Sequence, residues 1–271
     1  MHALDAAQFR DADRYSSYLE TALGRLRSEL AWQNLQRFLP ANPFRRRVLD
    51  LGGGTGSMSL RLAEMGFRVV LLDSSEEMLR IAKKEVQASG NAERVSFHHL
   101  DASMLQQLFA AESFDLVLCH NLLEYVANPA AILAKTAYVL RKEAVVSLLA
   151  RNRPGEALKA AIKSTDWELM KANLSAETAV DSLYGKPVRI FDSKVLLDML
   201  AEAGLDVIAQ HGVRVFSDYR DPKDFTDEAV YGQVLALELI FGAQPEFAGI
   251  ARYTQLIARR SSASRGKGAE R

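Results

Sequence analysis

Residues 47–57 read Arg47-Val-Leu-Asp50-Leu-Gly52-Gly-Gly54-Thr-Gly56-Ser57. A short apolar strand leads into alternating glycines, and the sequence after Ser57 continues with the apolar spacing of a helix. Glycines let the backbone turn sharply here, and they let a ligand approach without meeting a Cβ atom. The first turn of the following helix offers free N–H groups and a partial positive charge. The stretch therefore predicts a strand–loop–helix turn that binds a nucleotide-like ligand.

The alternation of strands and helices extends over residues 44–150. Apolar runs bounded by turn residues predict five short strands, at 47–51, 69–73, 95–100, 114–120 and 144–150. Helical patterns between them are typical of βαβ units and a parallel sheet. The strands are apolar throughout, as expected when helices cover both faces of a sheet. We therefore predict a doubly wound α/β core over residues 44–150.

The segments on either side of this core are predicted to cover it. Residues 1–43 form an N-terminal helical cap, because leucines recur at helical spacing between Tyr15 and Leu39. The rest of the chain is divided into a lid insertion, a segment that completes the sheet around a helical insertion, and a disordered tail: residues 151–191, 192–260 (insertion 218–246) and 261–271.

Composition narrows the possible classes of protein. The 271 residues carry 34 basic and 34 acidic side chains, so no global positive field attracts nucleic acid. A single cysteine, Cys119, excludes a disulfide framework and a Cys-rich zinc site, and no metal site is predicted. The N-terminus lacks the pattern of a signal peptide, and no apolar run approaches the roughly 20 residues that span a bilayer. We expect a soluble, cytoplasmic protein without a membrane contact.

The spacing of the glycines distinguishes between ligands. A dinucleotide site follows the pattern G-x-G-x-x-G, whereas here the third glycine falls one position earlier. Asp50, ahead of the first glycine, suits a ligand that carries an ammonium group. A nicotinamide-dependent oxidoreductase is therefore the second choice. A non-catalytic regulator that binds an adenosyl group is a third.

Acidic and small residues follow the next two predicted strands. Asp73 is the last residue of the second strand, and its carboxylate can accept hydrogen bonds from both hydroxyls of a ribose. Asp101, Ala102 and Ser103 follow the third strand. Because parallel strands end at one edge of the sheet, these residues and the glycine loop predict an adenosine-shaped slot.

Asp50-x-Gly52-x-Gly54-x-Gly56 resembles the first motif of class I S-adenosylmethionine-dependent methyltransferases. Further segments resemble the methyltransferases that modify carboxymethoxyuridine in tRNA: Leu26-Arg-Ser-Glu-Leu-Ala-Trp-Gln33, His120-Asn-Leu-Leu-Glu-Tyr-Val-Ala-Asn-Pro129, Gly212-Val-Arg-Val-Phe-Ser-Asp-Tyr219 and Ala251-Arg-Tyr253. The resemblance covers nearly the whole chain. It implies a Rossmann-like sheet that is mostly parallel with its last strand antiparallel, and S-adenosylmethionine as the cofactor.

The resemblance also implies roles for individual residues. Arg27 would reach the methionyl carboxylate of the cofactor, and His120 would lie against the cofactor at the end of the fourth strand. The other implied cofactor-binding residues are Gly52, Gly53, Gly54, Asp73, Asp101, Ala102 and Ser103. His120 is also the nearest candidate for a general base, which a hydroxyl or amine acceptor would need. A carboxylate acceptor, already ionised at neutral pH, would need none.

The methyl acceptor is left open between a carboxylate-bearing tRNA wobble uridine and a small molecule. Candidate acceptor-binding residues are Tyr125, Arg151, Arg214 and Tyr219. The basic run usual in the family is thin here, since residues 178–194 carry only three basic side chains, and phosphate contacts supply most nucleic-acid affinity. The densest basic run, residues 45–47, could touch phosphates or merely lead into the first strand. The apolar helix around 234–241 is predicted to be core or a homodimer face.

Overall fold

The computed structural model describes residues 12–181 and 183–262. Within them the chain forms nine β-strands: β1 (Arg47–Leu51), β2 (Arg68–Asp73), β3 (Val95–His99), β4 (Phe114–His120), β5 (Leu140–Arg151), β6 (Thr178–Val180), β7 (Pro187–Arg189), β8 (Leu205–Val213) and β9 (Tyr253–Arg260). Seven of these strands form one sheet in the order β3-β2-β1-β4-β5-β9-β8, and β6 and β7 form a separate hairpin.

The helices of the described residues are α1 (Ala12–Glu20), α2 (Ala22–Gln36), α3 (Ser57–Glu64), α4 (Glu76–Ala88), α5 (Leu105–Leu108), α6 (Pro129–Val139), α7 (Arg153–Lys163), α8 (Trp167–Ser175), α9 (Ser193–Glu202), α10 (Glu228–Gly242) and α11 (Pro245–Ala248). Helices cover both faces of the large sheet. The predicted doubly wound α/β architecture is confirmed.

The direction of each strand agrees with the sequence-based prediction. β1 pairs in parallel with β2 and β4, and Asp50 lies opposite Leu71 and Leu118. β9 runs antiparallel to both of its neighbours, with Tyr253 opposite Arg151 of β5 and Val213 of β8. The last strand of the chain is therefore inserted, antiparallel, between β5 and the edge strand β8.

The core lies in two layers on either side of the sheet. Successive side chains of a strand point to opposite faces, so Leu49 packs in one cluster with Ile132 and Leu196, and Val48 packs in the other with Leu62. Both β1 side chains are fully buried. Burial on both faces explains why the strands are apolar without alternation.

The N-terminal cap is two helices, so the prediction of one helix from Tyr15 to Leu39 is wrong. The chain breaks at Thr21, whose hydroxyl accepts a hydrogen bond from the N–H of Gly24 at 3.1 Å and caps α2. A Cβ atom on Gly24 would lie 2.0 Å from the carbonyl oxygen of Tyr18. This glycine lets α1 fold back against α2, which leucine periodicity alone does not reveal.

Other boundaries also differ from the sequence-based ones. β5 begins at Leu140 rather than 144, and β8 ends at Val213 rather than 216 because Arg214 adopts a φ of 63°. The predicted lid at 151–191 contains α7, α8 and the β6–β7 hairpin. Most of the predicted disordered tail, from residue 263 onward, lies outside the described residues.

The apolar helix in the second insertion is α10. Val234 is buried on its inner side, whereas Leu237 and Ile240 are 46% and 57% exposed. One side of α10 therefore belongs to the core. The predicted homodimer face stays a prediction.

Candidate active site

A cavity of about 600 Å³ opens at the carboxyl edge of the sheet, within the range of roughly 300–1,000 Å³ typical of ligand sites. Its walls come from the ends of β1, β2, β4 and β5, from the N-terminal helices and from the two insertions. The ends of neighbouring parallel strands meet here, so residues far apart in sequence face one space.

The glycine loop forms the floor of the cavity. Gly52 and Gly54 adopt φ values of 72° and 56°, which glycine accommodates without strain, and both line the cavity. At Gly54 an added Cβ would meet only a Tyr15 carbon at 3.7 Å, so the loop leaves room for a ligand. Gly53 faces inward instead, since a Cβ there would lie 2.8 Å from the carboxyl carbon of Asp50. Gly53 lines a small adjoining pocket shared with Asp50 and His120.

Asp50 is buried beneath the loop. Its Oδ2 atom accepts a hydrogen bond from the hydroxyl of Ser59 at 2.7 Å. Burial, with a smaller contribution from the charge of Asp73, raises the pKa of Asp50 to about 6. A nearby ammonium group would stabilise the ionised form of this carboxyl.

Asp73 lies at the end of β2, facing the cavity. Its two oxygens accept hydrogen bonds from the N–H groups of Gly54 and Ser75, each at 2.8 Å. Each carboxylate oxygen keeps further acceptor capacity, which suits the hydroxyl donors of a ribose. Burial raises the pKa of Asp73, and the two hydrogen bonds, which lower it, offset only part of this effect.

The segment after β3 also lies where the sequence places it. Asp101, Ala102 and Ser103 line the cavity beside Asp73. Asp101 Oδ1 accepts a hydrogen bond from the N–H of Ser103 at 2.7 Å and caps the short 3-10 turn that follows. The ammonium of Lys135 donates to the carbonyl of Ser103 at 2.5 Å. These contacts fix the backbone on which an adenine would lie.

Arg27 of α2 is a buried cation at the junction of both pockets. Its Nη2 atom donates to the hydroxyl of Tyr15 at 3.0 Å, and its guanidinium carbon lies 5.0 Å from the centre of the Tyr18 ring. No carboxylate of the described residues lies within ion-pair distance of it. A buried, unpaired charge is costly. A ligand that brings a carboxylate to the glycine loop would complete this site, so the residues present fit the cofactor that the sequence implies.

His120, at the end of β4, faces the same junction. Its Nε2 atom lies 2.8 Å from the hydroxyl oxygen of Ser147. That hydroxyl also accepts a hydrogen bond from the amide of Gln255 at 3.1 Å, and Gln255 in turn accepts one from Asn34. Burial, and then the charge of Arg27, lowers the pKa of His120 to about 3. The imidazole is therefore neutral at physiological pH.

The far half of the cavity is rich in arginine. Arg151 closes β5 and is held by two carboxylates: Nη1 donates to Glu156 at 3.0 Å and Nη2 donates to Asp181. Arg252, just before β9, shares Glu156, with 2.6 Å between Nη1 and Oε2. The predicted acceptor residue Tyr125 lies beside them, with its hydroxyl 3.5 Å from Asp181.

Arg214 follows β8 and is fixed in the same wall. It donates to Asp218 and, at 3.0 Å, to the hydroxyl of Tyr18. The intervening loop is held by Glu238 of α10, whose carboxylate accepts hydrogen bonds from the N–H groups of residues 215, 216 and 217. The cavity wall contains Asp218 but not Tyr219, and the role of Tyr219 in binding the acceptor stays a prediction.

The sequence-based candidates miss several lining residues of this half, among them Lys159, Lys163, Arg252 and Tyr253. Tyr253 is buried at their centre, and burial raises its pKa, but the surrounding guanidinium groups outweigh burial and bring it to about 8. In order of effect these groups belong to Arg151, Arg27, Arg214 and Arg252. In the sequence, the charged residues 156, 159 and 163 recur at helical spacing, and this pattern could have indicated that one side of α7 carries charges toward the cavity.

Comparison with known proteins now assigns the family. Residues 45–204 match the methyltransferase domain family. The tRNA 5-carboxymethoxyuridine methyltransferase of Escherichia coli K12 is 31% identical over 244 residues, which cover 89% of this chain and 90% of that protein. The chain belongs to the S-adenosylmethionine-dependent methyltransferases. This enzyme uses S-adenosylmethionine, so the nicotinamide-dependent and non-catalytic alternatives are rejected.

Other methyltransferases resemble the chain over a shorter stretch of sequence or in fold alone. A ubiquinone biosynthesis O-methyltransferase of Aromatoleum aromaticum is 32% identical over 160 residues, which cover 52% of this chain and 67% of that protein. Among solved structures, a methyltransferase from Thermotoga maritima has a TM-score of 0.63 at 17% identity, covering 94% of this chain and 99% of that one. The Burkholderia thailandensis 1,6-didemethyltoxoflavin-N1-methyltransferase, solved with S-adenosylhomocysteine, has a TM-score of 0.55 at 16% identity and covers 96% and 92%. These two structures support the fold of the methyltransferase.

The part of the chain that the structure describes has neither a membrane-spanning helix nor a cluster of metal ligands. None of the helices there has the length and apolar character needed to cross a bilayer. Nor do three or more His, Cys, Asp or Glu side chains of that part of the chain form a group that could hold a metal ion.

Proposed function

We propose that this methyltransferase methylates a carboxylate oxygen, and that the carboxylate belongs to a 5-carboxymethoxyuridine of tRNA. The charge of the far half of the cavity carries the proposal. Five cationic side chains meet there against three carboxylates, a surplus of two positive charges: Arg151, Lys159, Lys163, Arg214 and Arg252 against Glu156, Asp181 and Asp218. A partly buried cavity with such a surplus favours an anionic acceptor over a neutral one.

The proposed roles divide the cavity into two halves. The cofactor half consists of Arg27 at the methionyl carboxylate, the loop of Gly52, Gly53 and Gly54, Asp73 at the ribose, and Asp101, Ala102 and Ser103 at the adenine. The acceptor half consists of the cationic wall together with Tyr125 and Tyr253. His120 lies between the two halves.

Bound S-adenosylmethionine supplies a methyl group that is already reactive. The protein then has to hold the acceptor in line with that group and exclude water, and such orientation lowers barriers by roughly 7–11 kcal/mol. A carboxylate is ionised at neutral pH, so no residue has to remove a proton from it. The neutral His120 fits this scheme as a positioning group, since its pKa of about 3 makes it a poor base.

The likeness to the Escherichia coli enzyme over nearly the whole chain supports a tRNA acceptor. The basic residues of the segment 178–194 offer less support for a tRNA acceptor. Of the three basic residues in 178–194, Arg189 donates to the carbonyl of Val126, and Lys194 pairs with Asp198 at 2.7 Å. This shortage of available cations favours the second candidate, a small carboxylic acid. A tRNA acceptor agrees with the expected cytoplasmic location.

The proposal is tested with three RNA hairpins that differ only at one uridine: 5-carboxymethoxyuridine, 5-methoxyuridine and unmodified uridine. After incubation with S-adenosylmethionine, the RNA is digested to nucleosides, and the mass of each nucleoside is determined by chromatography and mass spectrometry. We expect one added methyl group on the first nucleoside alone. Methylation of all three, or of none while a small carboxylic acid from a metabolite pool is methylated, would reject the tRNA acceptor.

A further inference from the structure

Helix α7 turns one charged face toward the acceptor half of the cavity. Glu156, Lys159 and Lys163 follow one another at spacings of three and four residues and therefore lie on the same side of the helix. Lys159 and Lys163 line the cavity, whereas Glu156 points beneath it to the arginines. Lys159 is half-buried and Lys163, at the end of the helix, is exposed.

The arginines of this half are already ion-paired with carboxylates, although the Nε atoms of Arg214 and Arg252 make no hydrogen bond within the described part of the chain. Glu156 joins Arg151 to Arg252, and Arg214 is paired with Asp218. These guanidinium groups are 5–8% exposed as side chains, so each pair is shielded from water. Displacing a carboxylate from such a pair would leave it buried and uncompensated, which is costly. The charges of these three arginines are therefore already balanced by three carboxylates, and an incoming anion gains most from a cation that has no carboxylate partner.

Two lysines of this half remain, and of these Lys159 is half-buried whereas Lys163 is exposed to water. Among the described residues, no carboxylate lies within ion-pair distance of the ammonium of Lys159. Burial, and then the charge of Arg252, lowers the pKa of Lys159, so its ammonium is held in a place that disfavours a positive charge until an anion arrives.

We propose that Lys159 is the specificity-determining residue for the acceptor, and that its ammonium pairs with the carboxylate that receives the methyl group. This inference rests on the proposed carboxylate acceptor. It adds the residue that recognises the carboxylate.

A lysine suits this position better than an arginine would. An ammonium is a compact charge that can pair with one carboxylate oxygen and leave the other free to bond with the methyl group. An arginine fork tends to hold both oxygens at once. Methylation also converts the charged carboxylate into a neutral ester, so the attraction to Lys159 ends when the product forms. The same ion pair therefore favours substrate binding and product release.

The test uses the full chain saturated with S-adenosylhomocysteine and two nucleosides as probes, 5-carboxymethoxyuridine and 5-methoxyuridine. Calorimetry gives the affinity of each probe for wild type, Lys159→Met, and Lys142→Met as the control. Lys142 is an exposed lysine of β5 at the opposite edge of the sheet. We expect wild type and the control to prefer the carboxylate probe by about 10- to 100-fold, the value of one charged hydrogen bond, and Lys159→Met to lose this preference.

The outcomes separate the two proposals. If wild type shows no preference for the carboxylate probe, the proposed carboxylate acceptor fails and the inference fails with it. If wild type prefers the carboxylate and Lys159→Met keeps that preference, the proposed function stands and Lys159 is not its recognition residue. Turnover kinetics give a second readout. Compared with Lys159→Met, Lys159→Arg should bring the KM for the acceptor back toward the wild-type value, but its kcat should stay below that of wild type, because the guanidinium then holds both oxygens of the acceptor carboxylate. Equal kcat values for Lys159→Arg and wild type would contradict the role of the free oxygen.

Discussion

The Nε2 atom of His120 lies 2.8 Å from the Oγ atom of Ser147, and His120 lines both the large cavity and the small pocket that adjoins it. Ser147 is fully buried in β5, and its hydroxyl is also held by Gln255 of β9. The hydrogen bond therefore fixes the imidazole against the sheet. Because burial and Arg27 bring the pKa of His120 to about 3, the ring stays uncharged.

The first prediction concerns the role of this histidine. A general base contributes about 10²- to 10⁴-fold to rate, so His120→Asn should lower kcat by less than about 100-fold if the ring only positions the reactants. Wild type and His120→Asn should show the same profile of kcat against pH between about pH 5 and 7, since the pKa of His120 lies near 3 and the ring does not titrate there. A loss above 100-fold, together with an inflection that the variant lacks, would assign His120 as the base.

The second prediction concerns Arg27, a buried cation that has no carboxylate partner among the residues that the structure describes. Arg27→Met should weaken binding of S-adenosylhomocysteine by about 10- to 100-fold, because a charged hydrogen bond to the carboxylate of the ligand is lost. The free protein should be at least as stable as wild type, since an uncompensated charge leaves the interior. Calorimetry and thermal unfolding check both halves of this expectation.

The control for Arg27 is Arg25→Met on the same helix. Arg25 is exposed and pairs with Glu228 of α10 at 2.9 Å. An exposed pair of this kind contributes about 0–1 kcal/mol, and the cavity does not include it. Equal ligand affinity for the two variants would contradict the assignment of Arg27 to the cofactor.

A third prediction addresses Glu238, a fully buried carboxylate that accepts hydrogen bonds from three consecutive N–H groups. In Glu238→Gln, the amide presents an NH₂ group to one of these donors. We expect the free energy of unfolding to fall by about 1–3 kcal/mol, measured by urea denaturation. The loop carries Asp218, the partner of Arg214, so the KM for the acceptor should rise while the affinity for S-adenosylhomocysteine stays unchanged.

Glu246→Gln on α11 is the matched control for this substitution, because Glu246 is an exposed carboxylate of the same insertion. It should change neither stability nor KM. If Glu238→Gln lost stability and cofactor affinity together, the effect would be general unfolding of the site rather than a loosened acceptor wall.

The fourth prediction concerns Asp115 at the opposite edge of the sheet. Burial raises the pKa of this carboxyl, but hydrogen bonds from the N–H of Arg47 and from Arg46 and Arg141 outweigh burial and lower it below its ordinary value. A lowered pKa in the folded state contributes stability above the unfolded pKa of about 3.9, and that contribution is lost as pH falls through the folded value. Asp115→Asn should therefore cost about 1–3 kcal/mol of unfolding free energy at pH 7.

The difference between Asp115→Asn and wild type should be constant from pH 7 to about 5 and should shrink only below about pH 4. Urea denaturation at several pH values measures it. Glu168→Gln, in the exposed pair with Lys171, serves as the control and should show almost no difference. A difference that grows on acidification would reverse the sign and contradict the assignment.

Asp115 also explains the basic run at residues 45–47. Arg46 pairs with Asp115 at 2.8 Å, and the guanidinium of Arg47 lies 4.7 Å from the centre of the Phe114 ring. Both residues hold the amino end of β1, away from the cavity at the carboxyl edge. These contacts support the alternative that the run leads into the first strand, and contact with phosphates stays a prediction. Sequence alone shows three adjacent charges but not the strand end that they face.

The sequence predicts the cofactor half of the cavity well for a physical reason. Asp73 and Asp101 each follow a parallel strand, and the ends of such strands share one edge, so order along the chain becomes proximity in space. The glycine loop adds backbone geometry that only glycine accommodates, as the φ of 56° at Gly54 shows.

The acceptor half was less accessible from sequence. Lys159 lies in one insertion, Arg214 borders the other, and Tyr253 begins a strand that is inserted between β5 and β8. Their meeting depends on contacts between segments far apart in the chain, which local patterns do not encode. The sequence also did not reveal that the N-terminal cap divides into two helices at Thr21, because that division depends on the contact of Gly24 with the preceding helix.

The most direct test of a carboxylate acceptor is the alkali lability of the product. RNA carrying 5-carboxymethoxyuridine is methylated with S-adenosylmethionine that has a tritiated methyl group, purified, and kept in mild alkali. A methyl ester is hydrolysed under these conditions, so we predict that nearly all of the label is released as volatile methanol. Label that stays with the nucleosides would show an ether or N-methyl product and would contradict methylation of a carboxylate.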